Sequence, residues 1–253
     1  MVGLDIDETK IPSYLRHDKY PLLSFAKYII DATYDKVIAY KPNSAFFEAY
    51  GLKGMDQLSQ IIHYIPKDIP VILDVKRGDI GNTAERYAKA AYEDLKVDAV
   101  TLNAYMGSDA VVPFCEYKNK YQFVLVLTSN PSAQQIQTLR LENGEYVFEH
   151  MAKEVAKLND KYSNCGVVVG ATRPEHVGVV TKATPDSFLL IPGIGAQGGS
   201  IKDVLSACTT SKNQCLFNVS RDILYASNDK DFANLASKKA IEYRQEINKY
   251  RHN

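Results

Sequence analysis

The charged residues Asp74, Lys76 and Asp79 stand close together after an apolar run, in Asp74-Val75-Lys76-Arg77-Gly78-Asp79-Ile80 following Val71-Ile72-Leu73. A carboxylate beside an ammonium can steady a developing negative charge and move a proton, or it can simply meet water at a strand edge. If residues 71–76 form a strand, its two-residue period puts Asp74 and Lys76 on one face at the carboxyl end. Asp79 falls outside that alternation, because Gly78 breaks the strand and the polar run Gly81-Asn82-Thr83 opens a helix. Most lone Asp-x-Lys pairs are solvated edges, so the surrounding elements must decide between the two uses.

Those elements follow a simple rhythm. Short β-branched runs predict strands near 1–5, 36–41, 70–76, 98–102, 122–127, 165–170, 187–191 and 215–219. Between them lie amphipathic stretches, such as 18–33 and 82–95, whose apolar residues recur at three and four; 229–250 closes the series with Phe232, Leu235, Ala236, Ala240, Ile241 and Ile247 in one stripe. Strand then helix, eight times over, predicts an α/β protein of the closed (β/α)₈ TIM-barrel type rather than an open doubly wound sheet. No Ser/Gly-rich linker or shift in composition divides the chain, so residues 1–253 are expected to form a single domain. The widest gap, 128–164, holds the polar insertion Ser132 to Glu145, whose length suits a lid or passive decoration.

Composition narrows the partners. Lys+Arg and Asp+Glu each number 30, which gives the chain no general attraction to nucleic acid or to an anionic membrane. No apolar run approaches the roughly 20 residues of a membrane span, and Met1-Val2-Gly3-Leu4-Asp5 lacks the layout of a signal peptide, so a cytoplasmic protein is expected. The five histidines form no H-x-x-x-H or H-E-x-x-H pair, and no metal site built on them is expected. Cys115, Cys165, Cys208 and Cys215 contain no C-x-x-C and are expected to be small core hydrophobes.

In a barrel, the residues just beyond each strand line the active face. Here they are Asp5, then Lys41 and Asn43, then Asp74 and Lys76, then Thr128-Ser129-Asn130-Pro131, then the loop from Pro192 to Gly199, and finally Asn218-Val219-Ser220-Arg221. The stretch Gly193-Ile194-Gly195-Ala196-Gln197-Gly198 matches G-x-G-x-x-G, but it follows the seventh predicted strand and leads to Asn218 and Arg221 rather than to an acidic strand end. That context argues against NAD and for a phosphate monoester, which glycine backbone amides and an arginine fork both suit. A surface glycine turn beside an unrelated arginine would look the same.

With these residues in place, the chain resembles the orotidine 5′-phosphate decarboxylase family, in its longer bacterial branch. The likeness runs through Gly3-Leu4-Asp5, Lys41-Pro42-Asn43-Ser44-Ala45-Phe46-Phe47-Glu48, the Asp74 to Ile80 stretch, Thr128-Ser129-Asn130-Pro131, Pro192 to Gly199 and Asn218-Val219-Ser220-Arg221, and covers nearly the whole chain. The resemblance implies decarboxylation of orotidine 5′-monophosphate to UMP and CO₂. It also implies an alternating charged set of Lys41, Asp74, Lys76 and Asp79, with Asp79 and Thr83 supplied across a homodimer. Asp5 and Asn43 would hold ribose hydroxyls, Ser129 the pyrimidine amide edge, and Gln197 with Arg221 the 5′-phosphate; Pro192 would line the substrate site. Lys76 would protonate C6, and neither metal nor organic cofactor is required. Two other readings stay open: a metal-dependent sugar-phosphate decarboxylase or epimerase of the same barrel group, and a silent barrel that only binds a nucleotide or a protein.

Overall fold

The apolar runs of the sequence form eight strands among the described residues of the computed structural model, which are 1–195, 198–209 and 212–251. In chain order they are β1 (Val2–Leu4), β2 (Tyr40–Pro42), β3 (Ile72–Arg77), β4 (Ala99–Leu102), β5 (Tyr121–Leu127), β6 (Cys165–Val169), β7 (Leu189–Ile191) and β8 (Cys215–Phe217). Helices alternate with them: α1 (Pro21–Thr33), α2 (Gly51–Tyr64), α3 (Gly81–Lys89), α4 (Val112–Cys115), α5 (Val147–Tyr162), α6 (Pro174–Ala183), α7 (Ile201–Ala207) and α8 (Phe232–Arg251). The chain packs as two compact units, Met1–Val75 with Val219–Lys249, and Lys76–Asn218 with the chain from Tyr250.

In the first unit β1 pairs with β2 in parallel, Val2 opposite Tyr40 and Gly3 opposite Lys41. Because β1 is only three residues long, β2 is equally short, and the strand expected at 36–41 begins at Tyr40. The residues Tyr34–Lys36 form a 3-10 turn instead. Val219, expected to end the eighth strand, bridges Val2, and its carbonyl accepts the Gly3 N–H at 2.9 Å. Helix α1 buries Leu22, Phe25, Ala26, Ile29 and Ile30 along one stripe, and Phe25 stacks on Phe232 of α8 at 5.0 Å. The stripe expected on α8 is fully buried only at Phe232, Ala236 and Ala240.

The start of α1 has no capping side chain of its own. A residue of α2 takes that role: Gln57 Oε1 accepts the N–H groups of Leu22 (3.0 Å) and Leu23 (3.2 Å), and Gln57 is itself buried. Gln57→Leu keeps the bulk and leaves two buried donors unmet, each worth about 1–3 kcal/mol. The expected result is a loss of roughly 2–4 kcal/mol and a fall in Tm of about 5–15 °C, read by thermal unfolding. An unchanged Tm would mean that the α1 terminus is satisfied elsewhere.

In the second unit strands β4 to β8 pair in chain order, β4-β5-β6-β7-β8. Its strands are buried on nearly every residue, as parallel strands covered on both faces must be. Strand β7 begins at Leu189, later than the expected 187, because the Phe188 N–H donates to the Tyr121 hydroxyl at 3.1 Å. Gln122, buried within β5, donates to the Phe114 carbonyl (2.8 Å) and to the Tyr92 hydroxyl (3.1 Å), so the polar group inside the apolar layer is satisfied. Cys115, Cys165 and Cys215 are buried free thiols and Cys208 is half-buried, in line with the expected packing role. Among the described residues no helix is long and apolar enough to cross a membrane.

Candidate active site

Lys41 lies at the centre of β2 and Asp74 in the middle of β3, and their side chains meet: Lys41 Nζ donates to Asp74 Oδ2 at 2.5 Å. Both residues are buried, at 3% and 8% exposure. Burying two charges costs several kcal/mol per ion unless geometry and further bonds offset it, so such a pair is poor value for stability alone. It marks a place where charge is wanted. The backbone fixes the pairing, because Asn43 bridges Asp74 in parallel and the Ser44 N–H donates to the Asp74 carbonyl at 3.2 Å. Asn43 is half-buried, and its Oδ1 accepts the Ala45 N–H at 3.2 Å, which turns the chain into the short helix Ala45–Glu48.

Asp5 leaves β1 on the same unit, half-buried, with Oδ1 buried and without a hydrogen-bond partner. Arg221 opens the helical turn Arg221–Leu224 and is exposed. Within the first unit, therefore, Lys41, Asp74 and Asn43 are brought together on adjacent strand ends, and Asp5 and Arg221 follow β1 and Val219, which bridge one another through Val2.

Lys76 departs from the strand period. Its φ is +46°, a left-handed conformation that a residue with a Cβ adopts at a cost of order 1 kcal/mol. Alternation from Asp74 therefore does not by itself set its direction, and Lys76 is exposed where Asp74 is buried. The strain is held by neighbours in the second unit. The Lys76 N–H donates to the Thr101 hydroxyl at 3.0 Å, and the Arg77 carbonyl accepts the Asn103 N–H at 2.7 Å. A Cβ at Gly78 would come within 2.5 Å of the Asn103 carbonyl oxygen, so only glycine fits there. Sequence reasoning missed Thr101, although a buried hydroxyl inside the apolar strand Ala99–Leu102 was the available signal. Strained non-glycine residues held this firmly cluster at functional positions.

Asp79 is half-buried just before α3, where its carboxylate accepts the Ile80 N–H at 2.8 Å, and Thr83 is exposed on the first turn of that helix. Ser129 is half-buried after β5; its loop is wedged against Gly170, where a Cβ would meet the Ser129 nitrogen at 2.7 Å. The Pro192 carbonyl accepts the Ala171 N–H at 2.9 Å, tying the exit of β7 to that of β6. Beyond it Gly193, Gly195 and Gly198 all have left-handed φ, at 97°, 74° and 81°, and Ile194 bridges Gly199. Gln197 lies outside the described residues.

The insertion after β5 is ordered by its own side chains. Gln137 exchanges hydrogen bonds with Thr128, accepting its N–H (2.8 Å) and donating to its hydroxyl (2.9 Å). The Arg140 guanidinium lies 4.4 Å from the centre of the Tyr146 ring and donates to the Gly144 carbonyl. The Lys153 ammonium beside Glu145 holds that carboxyl down to about 2.

Comparison with known proteins places this arrangement. The model of the orotidine 5′-phosphate decarboxylase / HUMPS family matches residues 1–235. An orotidine 5′-phosphate decarboxylase of Herpetosiphon aurantiacus is 48% identical over 239 residues, covering 94% of this chain and 88% of that protein. One of Flavobacterium johnsoniae is 47% identical over 249 residues, covering 97% and 90%. The solved OMP decarboxylase of Leishmania donovani superposes with a TM-score of 0.85 at 37% identity, over 100% of this chain and 93% of that one. The fold class is accordingly the (β/α)₈ barrel expected from the strand and helix alternation. With a family model matched over most of its length and relatives near half identical throughout, the chain belongs to the orotidine 5′-phosphate decarboxylase family and is an enzyme of that family.

Proposed function

We propose that this enzyme converts orotidine 5′-monophosphate and a proton to UMP and CO₂, the last step of de novo pyrimidine synthesis, as a cytoplasmic homodimer that uses no metal or organic cofactor. The observation that carries the reading is the buried Lys41–Asp74 pair two residues before the strained Lys76. Loss of CO₂ leaves an electron pair on C6 of the pyrimidine, and no ring position delocalises it well. A fixed ammonium answers that need: Lys76 stabilises the charge at C6 and then gives up a proton to it. Asp74, held by Lys41, faces the departing carboxylate, and Asp79 completes the alternation from the partner subunit together with Thr83. The half-buried Asp79 and exposed Thr83 of the single chain suit residues that act beyond their own subunit. Asp5 and Asn43 take the ribose hydroxyls, Ser129 the amide edge of the base and Pro192 its surroundings, while Gln197 and Arg221 take the 5′-phosphate.

Incubation with orotidylate tests this directly. The ultraviolet absorbance of the orotate ring should fall with release of an equal amount of CO₂, and the rate should be indifferent to EDTA. Intact absorbance would remove the assignment. Loss of activity on chelation would favour the metal-dependent sugar-phosphate enzymes of the same barrel group.

A further inference from the structure

The Asp5 carboxylate has a buried, unpartnered oxygen, so its direction must be fixed through the backbone that carries it. One side chain from the far end of the chain supplies that restraint. The Tyr225 hydroxyl donates to the Asp5 carbonyl at 3.0 Å and accepts the Asp7 N–H at 2.8 Å, across a separation of 220 residues for the first bond. One phenol thus pins both sides of the turn that follows β1. Burial pushes the Tyr225 hydroxyl well above the usual phenol range, so it remains a donor wherever the enzyme works. The ring itself is immobilised: it stacks on Phe25 at 6.1 Å, and the Lys10 ammonium lies 5.9 Å from its centre.

The other end of the same residue reaches Arg221. The Tyr225 N–H donates to the Arg221 carbonyl at 3.0 Å, closing the helical turn that Arg221 opens. Asp5 and Arg221 are therefore joined through a single residue, by a phenol at one end and a backbone bond at the other. A ligand that engages both must carry hydroxyls and an anionic group at a fixed separation, as a ribose 5′-phosphate does.

We propose that Tyr225 is a positioning residue for the nucleotide, setting the Asp5 carboxylate for a ribose hydroxyl and coupling that contact to the arginine turn that meets the phosphate. This rests on the roles given to Asp5 and Arg221 above. Tyr225→Phe keeps the stacked ring and deletes only the hydroxyl, leaving the Asp7 N–H and the Asp5 carbonyl without their shared partner.

The test compares wild type, Tyr225→Phe, Asp5→Ala and the double variant in the full chain, using binding of UMP and of 2′,3′-dideoxyuridine 5′-monophosphate by calorimetry, and KM and kcat for orotidylate. Losing the hydroxyl that holds the backbone on both sides of the Asp5 turn is worth about tenfold. Tyr225→Phe should weaken UMP about tenfold and raise KM by a similar factor, with kcat changed less, and should leave the dideoxy nucleotide almost unaffected. In the Asp5→Ala background it should add less than about twofold, because coupled residues are not additive. Equal weakening of both nucleotides, or a full tenfold effect without Asp5, would assign Tyr225 a merely structural role and overturn the proposal. UMP binding with this pattern but no decarboxylation would refute the proposed reaction while leaving the positioning role intact.

Discussion

Lys76→Ala is expected to abolish turnover of orotidylate while leaving a folded protein. The ammonium is assigned two tasks at C6, stabilising the electron pair left by CO₂ and delivering the proton. General acid catalysis contributes about 10²–10⁴-fold and removal of a preorganised electrostatic group about 10²–10³-fold, so the two together predict a fall in kcat of at least ~10⁴. The backbone argument protects the interpretation. Lysine and alanine both carry a Cβ, so the left-handed conformation at φ +46° costs the variant about what it costs the parent. The Thr101 hydroxyl still accepts the N–H of residue 76, and Gly78 still fits beneath the Asn103 carbonyl. Circular dichroism and thermal unfolding should thus match the parent while the absorbance assay is flat. Near-normal turnover in a folded Lys76→Ala protein would take the proton donor away from this residue.

Arg221→Ala is expected to cost about 2–5 kcal/mol of transition-state stabilisation, roughly 30- to 5000-fold in kcat/KM, the range for truncating one partner of a desolvated charge pair. Binding energy from a part of the substrate that does not react can be drawn on for the chemical step, so the loss should fall on kcat as well as on KM. The nucleoside orotidine, which has no phosphate, provides the internal comparison. Wild type and Arg221→Ala should process it at the same low rate, because the guanidinium then has nothing to grip. If both substrates are slowed alike, Arg221 acts through the fold. If kcat/KM for orotidylate is unchanged, the phosphate is held elsewhere.

These two expectations draw on different kinds of information. The proposal for Arg221 rests on sequence, because a glycine-rich loop and an arginine after successive strands suit a phosphate without depending on fine geometry. Lys76 was legible as a residue but not as a conformation. The two-residue period of a strand would have set it beside Asp74, and the positive φ that breaks this period leaves no mark in a lysine codon's neighbours except Gly78, whose need arises from Asn103, 25 positions further on. The burial of Lys41 against Asp74 was equally hidden, since it depends on the parallel register that puts Asn43 beside Asp74.

Sequence alone determined the alternation of strands and helices, because apolar periodicity and turn residues act over a few neighbours and each element answers to its own stretch of chain. It also determined which residue types end the strands, and hence the family. The tertiary structure decided which of them meet. Gln57 caps a helix that has no cap of its own, Thr101 holds the backbone of Lys76, and Tyr225 pins the turn at Asp5. Each of these is a hydrogen bond between residues distant in sequence, formed because a buried donor or acceptor must find a partner wherever packing has placed one. Such partners have no fixed spacing, so no local pattern announces them.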